Sequence, residues 1–431
     1  MNYSLHLIYL SLVFLIGCEP STIKTTINAK DILPIVENRD VLNIVENRES
    51  LIILPYSDES GKKAIACSIL NLSEVKVSTA CSCNSEGDCS VGIQSTDDYT
   101  GNASFDYRVK TETGPSNIST ITFEVEPSIP FVSTWRTTTP NETISLPLKE
   151  GYKYNFKVDW GDGSAPQKVI SASDLNKNHT YTSAGDYIVT ISGLAQAWYF
   201  AYTGSRNNII SVANFGNLGW IDLASAFSGC KNLESFSGGE TQTVTTVATM
   251  FYKADKLTNV DLSSWRTPSL TNLRGMFYEA KALSSLDISN FDTSSVTDMS
   301  RMFYKVNAIT TLDLSHFNTS KVTDMTLMFL ATSNLTSLDL SNFNTKSVTS
   351  MSNMFNSMSS ITSLDLSHFD TSNVEDMSLM FLYTKNLVSL NVDGWDISSV
   401  TSSTDIFKDK NAGLVVTCDQ VSNTFFTEAC I

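Results

Sequence analysis

Leu312-Asp313-Leu314-Ser315-His316-Phe317-Asn318-Thr319-Ser320-Lys321-Val322-Thr323-Asp324-Met325-Thr326-Leu327-Met328-Phe329 returns along the chain every 26 residues. Met328-Phe329 is preceded by Met250-Phe251, Met276-Phe277 and Met302-Phe303, and followed by Met354-Phe355, Met380-Phe381 and Ile406-Phe407. The other apolar columns keep step: Leu286, Leu312, Leu338 and Leu364; Phe291, Phe317, Phe343 and Phe369; Val296, Val322, Val348 and Val374. A fixed period of this size means stacked supersecondary units, none of which buries its apolar face alone. The fold is decided here, and function has to be read on this scaffold.

Within one unit, Leu312-Asp313-Leu314-Ser315 alternates apolar with polar and predicts a short strand. Phe317-Asn318-Thr319-Ser320 carries turn formers whose hydroxyls can cap the next segment. Val322, Met325, Met328 and Phe329 fall at i, i+3, i+6 and i+7, the spacing of one helical face. Strand, turn and short helix make a leucine-rich-repeat plan of about 20–29 residues. The consensus L-D-L-S-x-F-[DN]-T-S-x-V-x-x-M-x-x-M-F resembles that of the BspA-like leucine-rich-repeat surface lipoproteins of bacteria. The resemblance implies adhesion or interaction with host or neighbouring-cell molecules. The expected fold is mostly β with short helices: two β-sandwich modules, then a leucine-rich-repeat solenoid.

The chain has 431 residues and a net charge of −16. That balance argues against nucleic acid, because a phosphate binder needs a basic stripe and none is visible. Four histidines limit both metal and acid–base chemistry. Leu5 to Gly17 is apolar but too short to span a bilayer, and 1–18 predicts a signal segment. Its end, Leu15-Ile16-Gly17-Cys18, resembles the lipobox of bacterial lipoproteins, which implies acylation of Cys18. The n-region departs from that pattern, holding His6 but no Lys or Arg. Such an anchor implies an exported, envelope-bound and surface-exposed protein. Residues 19–50 are polar and read as a tether. They hold Ile35-Val36-Glu37-Asn38-Arg39 and again Ile44-Val45-Glu46-Asn47-Arg48, and these apolar pairs can also form an added strand.

Residues 51–127 read as all-β. Tyr99 to Val109 ends in strict alternation, and Ile121, Phe123 and Val125 come next; the Y-x-G-x-x-x-F-x-Y-x-V run resembles cadherin-like and Ig-like modules. Cys67, Cys81, Cys83 and Cys89 imply two disulfides in an exported chain, with three connectivities open. A four-thiolate zinc site is the alternative, although C-x-C lacks the usual knuckle spacing. Residues 128–193 form a second sandwich. Val158-Asp159-Trp160-Gly161-Asp162-Gly163-Ser164, His179-Thr180-Tyr181 and Gly185-Asp186-Tyr187-Ile188-Val189-Thr190-Ile191 resemble the PKD module. Asp159, Asp162 and His179 are read as turn and packing residues rather than a catalytic set.

The solenoid is expected over 194–431, beginning with Ala226-Phe227-Ser228-Gly229-Cys230-Lys231-Asn232-Leu233. Cys230 shares its column with Ala254, Ala280 and Val306 and is expected to be a buried free thiol. An irregular unit carries Ser237-Gly238-Gly239-Glu240. The array decays at Asn391, Ser403 and Ile406, and Leu414-Val415-Val416-Thr417-Cys418 supplies a last strand. A bridge between Cys418 and Cys430 is expected to close the terminal cap.

No nucleophile elbow, zinc-binding H-E-x-x-H, phosphate loop or Cys–His pair is present. The expected class is a non-enzymatic binding protein without a cofactor, its ligand a protein or glycan on another cell. The alternatives are a structural envelope spacer, or an envelope enzyme or inhibitor with dispersed active residues. The candidate binding column lies between the buried strand positions: Asp261, Asp287, Asp313, Asp339 and Asp365, then Asn391. Stacked strands bring these carboxylates about 4.8 Å apart, where like charges cost up to about 1 kcal/mol per pair. Two readings stay open. Either each Asp supports its own turn, or the column binds cations, whether calcium or a partner's basic groups.

Overall fold

The computed structural model describes residues 43–56, 61–97 and 99–419. It is nearly all β, and the C-terminal part is a solenoid of 26-residue coils, so the expected class stands. Cys18, Cys430 and the first Ile-Val-Glu-Asn-Arg copy lie outside the described residues.

The first module is a two-sheet sandwich. Gly101–Thr111 pairs antiparallel with Ser119–Glu126 and with Ala66–Ser73. Its alternating sequence turns Ala103, Phe105, Tyr107 and Val109 inward. The facing sheet orders Glu49–Leu54, Cys89–Ser95 and Val75–Cys83 and contributes Ile52, Leu54, Val91 and Ile93. Cys67–Cys81 ties the edge strands of the two sheets together, while Cys83–Cys89 crosses paired strands of one sheet. The module starts earlier than the tether boundary allowed, because Asn43–Val45 adds a parallel strand beside Glu124–Glu126. Ile44 is worth burying, and the free edge of Ser119–Glu126 supplies its hydrogen-bond partners.

In the second sandwich, Tyr154–Asp159, Gly185–Ala195 and Phe131–Thr137 form the main sheet, with Gln167–Val169 at its edge. Glu142–Ser145 and Asn178–Tyr181 face it. Gly161 sits at φ +76, and a Cβ there would meet the Ile188 carbonyl oxygen at 2.3 Å, so only glycine fits. This module is not a separate bead. Phe131–Thr137 pairs on its other side with Ile209–Asn214, which pairs in parallel with Ser235–Ser237 and then Asn259–Asp261. One hydrophobic core runs from Phe131 to Val416. The 193–194 boundary therefore falls inside a strand, Gly185–Ala195, and the sandwich caps the first coil. Lys149 from the cap forms an ion pair with the buried Asp222 (2.5 Å), which also accepts from the Tyr152 hydroxyl at 2.6 Å.

The coil itself departs from the strand–helix plan. The only helix among the described residues is the 3-10 turn Leu175–Lys177. The segment expected to be helical is a chain of tight turns whose alternate amides leave the coil. In one unit Thr323 donates back to the Thr297 carbonyl, whereas Met325, Leu327, Phe329 and Ala331 donate forward to Ser350, Ser352, Met354 and Asn356. The amides between them stay local: Thr326 donates to Asp324 Oδ1, and Met328, Leu330 and Thr332 donate to Met325, Leu327 and Phe329 carbonyls. Half of the amides a helix would use internally instead tie one coil to the next. The conformation needs left-handed residues, at φ +61 for Leu327 and +55 for Ala331, with Gly275, Arg301, Asn353 and Leu379 in the first of these columns. An isolated helix of two turns is marginal in water, and an Asp that binds the amide two residues on competes with it. Bridges from Ala197 through Asp222, Thr246, Asn272, Asp298, Asp324, Ser350 and Asp376 to Ser402 run unbroken along this side.

Inside, the apolar columns stack as their period requires. The rings of Phe227, Phe251, Phe277, Phe303, Phe329, Phe355, Phe381 and Phe407 lie 5.5–6.0 Å apart and within 14° of parallel. Full burial of each ring from Phe227 to Phe381 contributes about 2–3 kcal/mol. A second, polar column is equally buried. Thr267, Thr293, Thr319, Thr345 and Thr371 each donate to a backbone carbonyl of the next coil, at 2.7–3.1 Å. Thr267, Thr293 and Thr319 also accept that coil's amide at 2.8 Å. Expected to cap helices, these threonines bond coil to coil instead.

Candidate functional site

The strand side of the coil carries the candidate column. Hydrogen-bonded strands occur there at Asn259–Asp261, then at Ser363–Asp365, Ser389–Asn391 and Val415–Thr417. Between them the equivalent residues 285–287, 311–313 and 337–339 are not strands. Asp287 keeps an isolated bridge to Asp261, but among the described residues none joins Asp287 to Asp313, Asp313 to Asp339 or Asp339 to Asp365, so the ladder expected along this face is interrupted at three successive junctions, while the opposite ladder is continuous. Coils held closely on one side and released on the other open a groove of 840 Å³ over the released part. Leu286, Leu312 and Leu338, each half-buried, form its floor. Asp313, Asp339 and Asp365 line it with Ser285, Thr311, Ser337 and Ser363. His368 closes one end, its Nε2 2.7 Å from the Leu340 carbonyl oxygen. Asp261 and Asp287 continue the column outside the groove.

Each carboxylate is committed to its own turn. Oδ1 of Asp261, Asp287, Asp313, Asp339 and Asp365 accepts the amide of Ser263, Ser289, Ser315, Ser341 and Ser367, at 2.9–3.1 Å. Those amides hold Asp287, Asp313 and Asp339 below the usual carboxylate range. For Asp261 and Asp365 the hydroxyls of Ser263 and Ser367 come first. Neighbouring carboxylates push the other way, Asp261 on Asp287 and Asp313 on Asp339, and are outweighed. The second oxygen of Asp261 accepts from the Ser237 hydroxyl at 3.1 Å, and the Asn391 side chain hydrogen-bonds Asp365; Asp287, Asp313 and Asp339 are exposed. Among the described residues no three carboxylate or imidazole ligand atoms converge. The column is a row of separate charges, and it does not gather into a calcium cage of the several oxygens that ion takes.

Elsewhere the residues singled out in the sequence sit in turns, ring stacks, disulfides or the core. Asp159 and Asp162 accept the amides of Gly161 and Ser164, and His179 stacks on Trp160 while its Nε2 lies 2.7 Å from Asp162 Oδ2. Burial pushes the Asp162 carboxyl up, but the Ser164 and His179 bonds outweigh it and hold it at about 2. Cys230 is a buried free thiol whose burial raises its pKa well above the ordinary value. Cys67, Cys81, Cys83 and Cys89 form two disulfides, and Cys418 is disulfide-bonded too. The sulfurs of Cys67, Cys83 and Cys89 lie within 4.8 Å of one another, so the two bridges share one cluster. Missed in the sequence were the groove floor and a second Asx column at Asp298, Asp324 and Asp376, whose Oδ1 atoms accept the amides of Ser300, Thr326 and Ser378. Its signal was a recurrent D-x-[ST].

These features define a class: a β-solenoid capped by a β-sandwich, with a polar groove along its repeat. Residues 221–312 and 299–414 match the family described as Mycoplasma protein of unknown function, DUF285. The match lies wholly within the solenoid. No curated protein and no solved structure matches the chain.

Proposed function

We propose that the protein is a non-enzymatic display scaffold, anchored to the bacterial envelope through Cys18, that binds a protein or glycan on another cell along its repeat groove. The observation that supports this is the groove itself. It is long, open and built from the same few side chains at equal steps, which suits an extended partner touching several coils. An apolar floor with hydroxyls and exposed carboxylates on its walls favours polar contacts spread along a chain rather than one reacting centre. The BspA-like consensus, the lipobox-like Leu15-Ile16-Gly17-Cys18 and the PKD-like and cadherin-like runs favour the same reading. The exposed carboxylates of Asp313, Asp339 and Asp365 would meet basic groups or sugar hydroxyls of the partner.

The test is binding of the mature chain to arrays of immobilised surface proteins and glycans, beside the Asp313→Asn, Asp339→Asn, Asp365→Asn triple variant. Asn keeps a turn acceptor and removes the charge. The proposal expects a target whose binding falls at least tenfold in the triple variant; a target bound equally by both would remove the groove from the function.

A further inference from the structure

The turn segment of the first coils carries a ladder that the later coils lack. Tyr252, Tyr278 and Tyr304 occupy one column with ring centroids 4.9 and 4.2 Å apart, and Tyr202 lies 5.9 Å beyond Tyr252. Arg206 sits over the Tyr202 ring at 4.9 Å, and Lys253 and Lys305 over Tyr252 and Tyr304 at 5.1 Å. Lys253, Lys281 and Lys305 all reach toward the Glu279 carboxylate, at 4.0, 3.8 and 3.8 Å. Lys281 also lies 4.0 Å from Asp255. These contacts are longer than hydrogen bonds. The Glu279 side chain is 14% exposed and those of the three lysines 33–52%, so the ammonium groups cover the carboxylate and form the surface. Four cations around two carboxylates leave a local positive excess on a chain whose net charge is −16.

The solenoid does not need these side chains to stack. Later coils fill the tyrosine column with Leu330, Asn356 and Leu382, and the lysine column with Ala331 and Ser357, while the phenylalanine stack beneath continues unchanged. The backbone of the strip is already committed: the amides of Phe251, Lys253, Phe277 and Glu279 donate to the carbonyls of Met276, Tyr278, Met302 and Tyr304. A peptide strand therefore finds no free edge to extend. The ring faces are taken by neighbouring rings or by cations, so nucleobases find no stacking platform. What remains for a partner is ammonium groups and partly exposed phenol edges. We propose that this strip binds an anionic polysaccharide, whose sulfate or carboxylate groups pair with Lys253, Lys281 and Lys305 and whose hydroxyls meet the tyrosine edges. Lys253 and Lys305 are two coils apart, about 10 Å along the stack. That separation suits charges recurring along a polymer better than one small anion. None of these residues lines the groove, so the strip is a second site.

Binding of the protein to immobilised dextran sulfate and to a polyuronate, with neutral dextran as reference, tests this at physiological salt. The expected result is binding to one or both anionic polymers and none to the neutral one. The Lys253→Gln, Lys281→Gln, Lys305→Gln triple variant should lose at least tenfold in affinity, and added salt should weaken the parent more steeply than the variant. Tyr278→Phe with Tyr304→Phe keeps the ring stack, removes two hydroxyls and should lose threefold or more. Lys62→Gln with Lys63→Gln, two exposed lysines of the first module, should change nothing. The Asp313→Asn, Asp339→Asn, Asp365→Asn variant should not weaken this binding, so the groove and the strip stand or fall separately. Failure of the parent to bind either anionic polymer would overturn the proposal, as would parent-level binding by the triple lysine variant or an equal loss in the Lys62, Lys63 variant. Parent-level binding by the phenylalanine variant would overturn the part given to the tyrosines. Tighter binding of single-stranded DNA through the same lysines would overturn the choice of polysaccharide.

Discussion

Thr319→Val removes one hydroxyl from the buried threonine column at constant shape. Thr319 Oγ1 donates to the Asn344 carbonyl at 2.9 Å and accepts the Asn344 amide at 2.8 Å, and the side chain is fully buried. Valine fills the same volume, so cavity terms drop out. The Asn344 amide and carbonyl then lose their partner at the seam between two coils. A buried polar group left unsatisfied costs about 1–3 kcal/mol. Asn344 is itself exposed at the surface and water reaches part of the seam, so the sum should lie near 2–3 kcal/mol rather than at the limit for two groups. Equilibrium urea unfolding of the protein reads this as a lower midpoint at unchanged slope. Thr319→Ser, which keeps the hydroxyl and loses a methyl, should cost about 1 kcal/mol. If the valine variant unfolds within about 0.5 kcal/mol of the parent, or the serine variant is the weaker of the two, the threonine column does not hold the coils together.

Phe303→Ala opens the aromatic stack between Phe277 and Phe329 and should cost about 3–5 kcal/mol in the same assay. Gly161→Ala, at φ +76 with its Cβ driven into the Ile188 carbonyl, should destabilise the cap by several kcal/mol, read by thermal unfolding. Because the turn carboxyls of Asp287, Asp313 and Asp339 are lower in the folded state, their contribution is present above the ordinary value of 3.8 and lost as pH falls through the folded values. Stability should therefore hold down to about pH 4.5 and fall below it, and the Asp313→Asn, Asp339→Asn, Asp365→Asn variant should flatten that fall. The Cys230 thiol, buried and raised in pKa, should resist alkylation in native buffer and react on unfolding.

The period, the buried columns and the mostly β class were legible because stacking repeats one choice every 26 residues. The helix was misread for a physical reason. Val322, Met325, Met328 and Phe329 point inward from a series of turns at nearly the spacing of a helical face, and Asp324 binds Thr326 as a helix cap would. What separates the two states is where the other amides go, and that depends on the neighbouring coil. A column holding Gly275, Arg301, Leu327, Asn353 and Leu379 was the available hint, since a helix face does not call for such a mixture. The candidate Asp column was placed on the right face, but the sheet beneath it was not. Leu286, Leu312 and Leu338 read as ordinary strand positions, and the loss of pairing at the three junctions between Asp287 and Asp365 leaves no mark in a sequence that stays periodic. Fusion of the second sandwich to the first coil was hidden for a similar reason, since Ile209–Asn214 does not share the repeat consensus.

Far-UV circular dichroism of the protein tests the solenoid most directly. Coils joined by alternate amides, as at Met325, Leu327, Phe329 and Ala331, predict a β and turn spectrum without the helical double minimum. That form should persist until the solenoid unfolds. A helical signal amounting to one short helix per coil, lost in the same transition, would contradict it and restore the strand–helix unit.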